Sequence, residues 1–408
     1  MRIVYVIGTS TGGVGTHVRA LARDVAAAGH EVGVIGPAQT DEHFGFSALP
    51  GVRFAALDVG TGVDLRDTVL VTRLRRILRG FGPDIVHAHG FRAGLIAHLA
   101  TRLLRPRPTF IESLHNQASG TGIRGSVETG IERLLARGAD LTLAASTDLV
   151  IRAHDLGARD ARFSPAAAPA IREVGAAEAR ATRAALAAEY DFSEDAVIVL
   201  AVGRVAPQKN YGMLVRALAR LGDTVPAAPA DAAAPADAAA PTDAAAPADA
   251  AAPREIVVLV AGAADEAVLA EVRAQYAEAA TASALPALHF LGARDDVAAL
   301  LAAADVYVLT SVWEARALVL QEALMTGQAI VATATGGTPE LVGDSGVLID
   351  SDDDESLADA IGTLAENPAL RAELGERARA RGRELPDEGD VAAELLAVYA
   401  ETQPSPRD

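Results

Sequence analysis

Residues 196–212 read "AVIVLAVGRVAPQKNYG". An uninterrupted apolar run ends at Gly203, a loop carries Arg204 and Lys209, and Asn210 introduces a helical stripe of Leu214, Leu218 and Leu221. A continuous apolar run followed by a loop and a helix marks a strand buried on both faces, as in a parallel α/β sheet. Ligands of such sheets bind beyond the carboxyl ends of the strands, where this loop must lie. Lys209 is the only lysine among 408 residues. Two cations beside a helix N-terminus capped by Asn210 suit a pyrophosphate, because the helix dipole and its unpaired amides favour an anion. The ammonium acts there as a compact point charge, whereas the Arg204 guanidinium can fork across two oxygens.

The same alternation extends in both directions. The first half offers "RIVYVIG", "EVGVIG", "DIVHAH", "PTFIESLH" and "LTLAAS" as strands, separated by helical patterns such as "THVRALARDVAAAG". The second half offers "AVIVLAVG", "EIVVLVAG", "LHFLG", "VYVLT", "AIVATA" and "GVLI". Right-handed βαβ units of this kind predict an α/β protein with two Rossmann-like, doubly wound parallel sheets. The expected division is an N-terminal domain over 1–175, a connection over 176–194, a C-terminal domain over 195–380, and a last helix and tail over 381–408. A repeat of proline six residues apart, Pro229 to Pro253, interrupts the second domain at 226–253; alanine and aspartate cannot bury enough surface there to order a chain.

Composition narrows the chemistry. Half the residues are hydrophobic and no cysteine is present, which excludes disulfides, thiolate nucleophiles and Cys-ligated metals. A net charge of −18 argues against a nucleic-acid partner. The charge is uneven: residues 1–175 hold 20 arginines against 16 acidic residues, so the acidic excess lies in the second half. No signal peptide or transmembrane run is evident, and the expected setting is cytoplasmic. The run "RLRRILRG", with Arg73, Arg75, Arg76 and Arg79, reads as an exposed helix face, with a peripheral contact to an anionic membrane as the alternative.

A second constellation, "SVWEARALVLQEALMTG" over 311–327, follows the strand "VYVLT". On one helix Glu314 and Glu322 would stand about 12 Å apart, too far to share one bond as an acid/base pair. Glu314 is therefore expected in the loop before the helix and Glu322 in its early turns, both accepting from ligand hydroxyls. Of the histidines, His115 ends the strand "FIESLH", while His17 and His89 read as structural residues at a helix start and a strand end. "DDD" at 352–354 lies before a helical pattern and reads as a cap, so no metal site is expected.

In this order, "VGRVAPQKN", the paired glutamates and "ATATGGTPELVG" resemble the retaining glycosyltransferases of family 4, which have the GT-B fold of two domains facing a cleft. "GGVGTHVRALARDVAAAGHEV" and "PDIVHAHGFRAGLIA" resemble the N-terminal half of that family. The resemblance implies metal-independent transfer of a sugar from a nucleoside diphosphate to a hydroxyl acceptor, with no cofactor. It implies that Arg204 and Lys209 hold the donor diphosphate, that Glu322 accepts from the ribose and Glu314 from the transferred sugar, and that His115 touches that sugar. It adds Gly12, Gly13, Gly203, Arg316, Leu318 and Val319 to the donor-binding set. The family's glycines after the first glutamate are replaced here by Ala315 and Ala317 around Arg316, a side chain that could reach an acidic sugar or phosphate. A nucleotide-sugar 2-epimerase on the same fold, or a binding protein that has lost turnover, are the alternatives. Donor base, sugar, acceptor and oligomeric state are not legible.

Overall fold

Thirteen strands form two parallel sheets in the structure, a computed structural model that describes residues 1–60, 67–117, 122–224 and 254–402. The first sheet contains β1 (Arg2–Ile7), β2 (Glu31–Gly36), β3 (Val52–Ala56), β4 (Ile85–His89), β5 (Thr109–Leu114), β6 (Leu141–Ala144) and β7 (Ala161–Phe163), in the order β3-β2-β1-β4-β5-β6-β7. The second contains β8 (Val197–Val202), β9 (Ile256–Ala261), β10 (Ala287–Gly292), β11 (Val306–Leu309), β12 (Ala329–Thr333) and β13 (Val347–Ile349), in the order β10-β9-β8-β11-β12-β13. Each order reverses at one place, between β1 and β4 and between β8 and β11. At such a switch point neighbouring connections diverge to opposite faces and leave a crevice at the strand ends. The proline repeat at 226–253 and the last six residues lie outside the described residues.

Central strands are buried because helices cover both faces: β8 is buried at all six positions, and β1 at all but its first. β3 and β7 were not legible as strands. Both are edge strands, half-exposed along their length, and lack the apolar run that marks the others. On the helix Asp67–Phe81, Arg73, Arg76 and Arg79 are exposed, but Arg75 is half-buried with its Nε shielded from solvent, so the four arginines do not form one solvated face. Among the described residues no helix is long and apolar enough to cross a membrane.

The chain passes between the sheets twice. It leaves the first after β7, forms the helix Ala176–Tyr190, and enters the second at β8. After β13 and two further helices it returns, and the helix Glu388–Thr402 inserts Val391, Ala392, Leu395 and Tyr399 into the core beneath β1, β2 and β4. Burying Val391, Leu395 and Tyr399 stabilises that docking by about 1.5–3 kcal/mol each. Arg23 pairs with Glu388 at 3.0 Å, and the Tyr399 hydroxyl lies 2.6 Å from Nδ1 of His87. Gln321, 1 % exposed, touches both crossings: its Oε1 accepts from the Ala168 amide at 3.1 Å, and its Nε2 donates to the Pro386 carbonyl at 3.2 Å.

Candidate active site

The loops that follow β8 and β11 lie side by side because those strands are neighbours at the second switch point. They are joined by main-chain and side-chain bonds: the Val312 amide donates to the Gln208 carbonyl, Gln208 Nε2 to the Trp313 carbonyl, and Thr310 Oγ1 to the Lys209 carbonyl. The result is a rigid platform, and on it Lys209 Nζ sits 2.6 Å from Glu314 Oε1. Ser311 Oγ donates to the same oxygen at 2.8 Å. The two charged side chains are only 16 % and 11 % exposed. Gly203 makes room for the lysine stem; a methyl group there would lie 2.9 Å from Lys209 Cε. An ammonium carries three donors, so one bond to Glu314 leaves two available.

Arg204 occupies the same loop but is exposed. Asn210 departs from its expected role: its backbone is left-handed at φ 48°, which asparagine tolerates, and its Nδ2 donates to Asp352 at 2.9 Å. The aspartates at 352–354 are likewise engaged with the chain. Asp353 caps the helix Asp354–Glu366 through the Ser356 amide, and Asp354 pairs with Arg216 and Arg220.

Glu314 lies in the loop and Glu322 on the helix Leu318–Thr326. Glu322 is half-buried, and burial pushes its carboxyl up to about 7. Ala315 and Ala317 are buried, and neither has a positive φ; among described non-glycine residues only Asp191, Asn210 and Asp352 do. Alanine therefore fits this loop without backbone strain. The loop's curvature is accommodated by its neighbour: Gly336, at φ 54°, brings the 335–337 turn against it, and the Gly337 amide donates to the Glu314 carbonyl at 2.8 Å. Arg316 is half-buried with an unpartnered Nε. Burial draws its guanidinium down to about 10, with Glu340 opposing that shift and Arg381 adding to it.

The first sheet meets this platform along two lines. Gly13, at the start of the helix Gly13–Ala27, approaches Leu318 so closely that a methyl on it would sit 3.2 Å from Leu318 Cδ1. Gly12 and Gly13 are exposed, Leu318 and Val319 half-buried. Beyond β6, Asp148 accepts from Trp313 Nε1 at 2.8 Å, Thr147 bonds to Glu340, and Ala315 packs among Leu114, Ala144, Ala145, Leu149 and Ala153. Ala315 thus belongs to an apolar contact between the domains, a role its sequence position did not reveal.

At the first switch point the chemistry differs. His89 ends β4, His115 follows β5, and His17 lies on the helix Gly13–Ala27. Sequence reading kept His17 and His89 apart as structural residues; the fold brings all three rings together. His89 Nδ1 lies 3.0 Å from His115 Nε2, and His17 stands edge-on to both. Behind them His87 is held between Tyr399 and Ser113 Oγ, the latter at 2.7 Å. Burial lowers His17 to about 3 and His115 to about 4, and holds His87 and His89 well below the ordinary imidazole range. At neutral pH the cluster is uncharged.

Two family models match the chain in order: Glycosyl transferase 4-like domain over residues 12–167, and Glycosyl transferases group 1 over residues 244–381. The D-inositol 3-phosphate glycosyltransferase of Saccharomonospora viridis is 28% identical over 328 residues, covering 78% of this chain and 70% of that protein. The N-acetyl-alpha-D-glucosaminyl L-malate synthase of Bacillus anthracis is 25% identical over 392 residues, covering 91% and 89%. Among solved structures, Anabaena HepE in complex with UDP and glucose superposes with a TM-score of 0.76 at 18% identity, covering 98% of this chain and 99% of that one. The sucrose-phosphate synthase of Thermosynechococcus elongatus gives 0.74 at 20% identity, covering 98% and 99%. These last two likenesses concern the fold. With its halves matched in sequence by glycosyltransferase models and its two parallel sheets shared with these structures, the chain belongs to the family 4 glycosyltransferases of the GT-B fold and is an enzyme of glycosyl transfer.

Proposed function

We propose that the enzyme moves a sugar from a nucleoside diphosphate to an acceptor hydroxyl, with retention of anomeric configuration and without a metal ion in catalysis. The observation that carries this reading is the half-buried Lys209 held by Glu314 at the β8/β11 switch point, with Arg204 on the same loop. As the bond from the anomeric carbon to the diphosphate oxygen breaks, negative charge grows on the departing group. Cations fixed beforehand stabilise that state more than the ground state. The acceptor oxygen bonds to the same carbon from the leaving group's side, and its proton passes to the departing phosphate oxygen. Glu314 orients Lys209 through Oε1 and offers Oε2 to the transferred sugar. Glu322 accepts from the ribose, the Gly12–Gly13 loop and the backbone at Leu318 and Val319 line the phosphates, and His115 faces the sugar from the other domain. Gly203 admits the lysine stem, and Arg316 adds a contact to a donor phosphate or an acidic sugar. The UDP bound by HepE supports a nucleoside-diphosphate donor, and the names of the relatives support glycosyl transfer. A cytoplasmic setting belongs to the same reading.

The test is incubation with a panel of labelled nucleotide sugars, following diphosphate release with and without hydroxyl acceptors. Acceptor-dependent release with the anomeric configuration kept, undiminished by a chelator, supports the proposal. Epimer exchange without release, or tight donor binding with neither, overturns it in favour of an isomerase or a binding protein.

A further inference from the structure

The three clustered histidines are not exhausted by a role for His115 alone. One ring nitrogen from each of His17, His89 and His115 lies within 4.8 Å of the other two. The ring centres form a near-equilateral triangle of 5.3, 5.6 and 5.8 Å. A tetrahedral ion bound at about 2.0–2.1 Å to three imidazoles places their ring centres about 5.2 Å apart. The rings are therefore close to that spacing. His89 Nε2 is buried with no hydrogen-bond partner, on a residue only 2 % exposed. Leaving such a nitrogen unmet is costly unless something else binds it. All three rings are carried by regular elements at the carboxyl end of the first sheet, two at strand ends and one in the first turns of a helix, so forming the site costs little ordering.

We propose that His17, His89 and His115 form a binding site for a zinc-class divalent ion, with the fourth position left to water or an anion. Neutral imidazoles without a carboxylate select borderline ions such as Zn2+ and Co2+ over Mg2+ or Ca2+, which require oxygen ligands. Where the transfer reading holds, an occupied site withdraws His115 from the donor sugar. The ion is then an antagonist of transfer and takes no part in it.

The metal-free full chain is titrated with Co2+ and the visible spectrum recorded, then Zn2+ or Mg2+ is added. One Co2+ per chain with the intense bands of four-coordinate cobalt, displaced by Zn2+ and not by Mg2+, is expected. His17→Asn and His115→Asn should each weaken Zn2+ at least about tenfold, while His43→Ala, at an exposed histidine, should leave it unchanged. His89→Ala is a third variant where it folds; the other two decide the matter without it. Absence of a stoichiometric ion, or an ion bound equally well by wild type and both asparagine variants, overturns the site. No donor or acceptor enters this titration, so its failure and the failure of diphosphate release are separable.

Discussion

The two switch points occupy equivalent places in two sheets of the same order, yet one is lined with charges and the other with neutral rings. At β8/β11 an ion pair, Lys209 with Glu314, is held half-buried, and Glu322, on the helix that follows, has its carboxyl raised by burial. At β1/β4 four buried imidazoles are held uncharged. Topology supplies a crevice and leaves its chemistry to the side chains at the strand ends. A charged wall suits an anionic leaving group. A neutral wall of donors and acceptors suits hydroxyls, and does not compete for the phosphates.

Removing the charge at the second switch point is the most direct way to break this contrast. Lys209→Ala is expected to lower kcat by on the order of 10²–10³, measured by diphosphate release. The variant should still unfold cooperatively by circular dichroism, at a lower temperature, because Glu314 retains Ser311 as a partner. Lys209→Arg restores the charge but not the fit beside Gly203, and should recover only part of the lost rate. Wild-type turnover in Lys209→Ala would remove the basis for treating the two walls as chemically distinct.

Titration sharpens the contrast because the two walls respond to pH with opposite sign. The histidines bind protons less readily in the folded state than in the unfolded one. Their contribution is complete above about 6.5 and shrinks as pH falls toward their depressed values of about 3–4. Glu322 binds its proton more readily when folded. Its contribution is complete below about 4.5 and is lost as pH rises through about 7. Denaturant melts should therefore show Glu322→Gln to be more stable than wild type at pH 8, by up to ~3 kcal/mol, and nearly equal to it at pH 4.5. Equal stability at both pH values would show that Glu322 is not held protonated by burial. A smaller effect tests how the walls are kept facing: Trp313→Phe loses the bond to Asp148 and should cost about 0.5–1.5 kcal/mol in the same melts.

The legible parts of the sequence were those whose burial leaves a continuous trace. All six strands of the second sheet and the five inner strands of the first announce themselves as apolar runs; "VRFAA" and "ARF" at the edges do not, because solvent reaches one side of each. Lys209 and Glu314 could be placed at strand ends for the same reason. Their direct bond could not, since they are 105 residues apart and meet only because β8 and β11 are neighbours. The histidines were harder still: His87 and His89 share one strand, but His17 and His115 lie alone in distant segments, and only the meeting of two strands and a helix reveals a cluster. The backbone at Ala315 and Ala317 was likewise beyond reach of sequence, because composition gives no φ.

Gln321 has a mechanical consequence. A body tethered to its neighbour by one strand can swivel in any direction, whereas one tethered twice can fold only about the line joining the two tethers. Here both tethers are fastened to a single amide, at Ala168 and at Pro386, so one side chain holds both ends of that line. That side chain sits on the same helix as Glu322, one residue away, so the fastening of the two crossings and a candidate site residue are built from adjacent positions of one short helix.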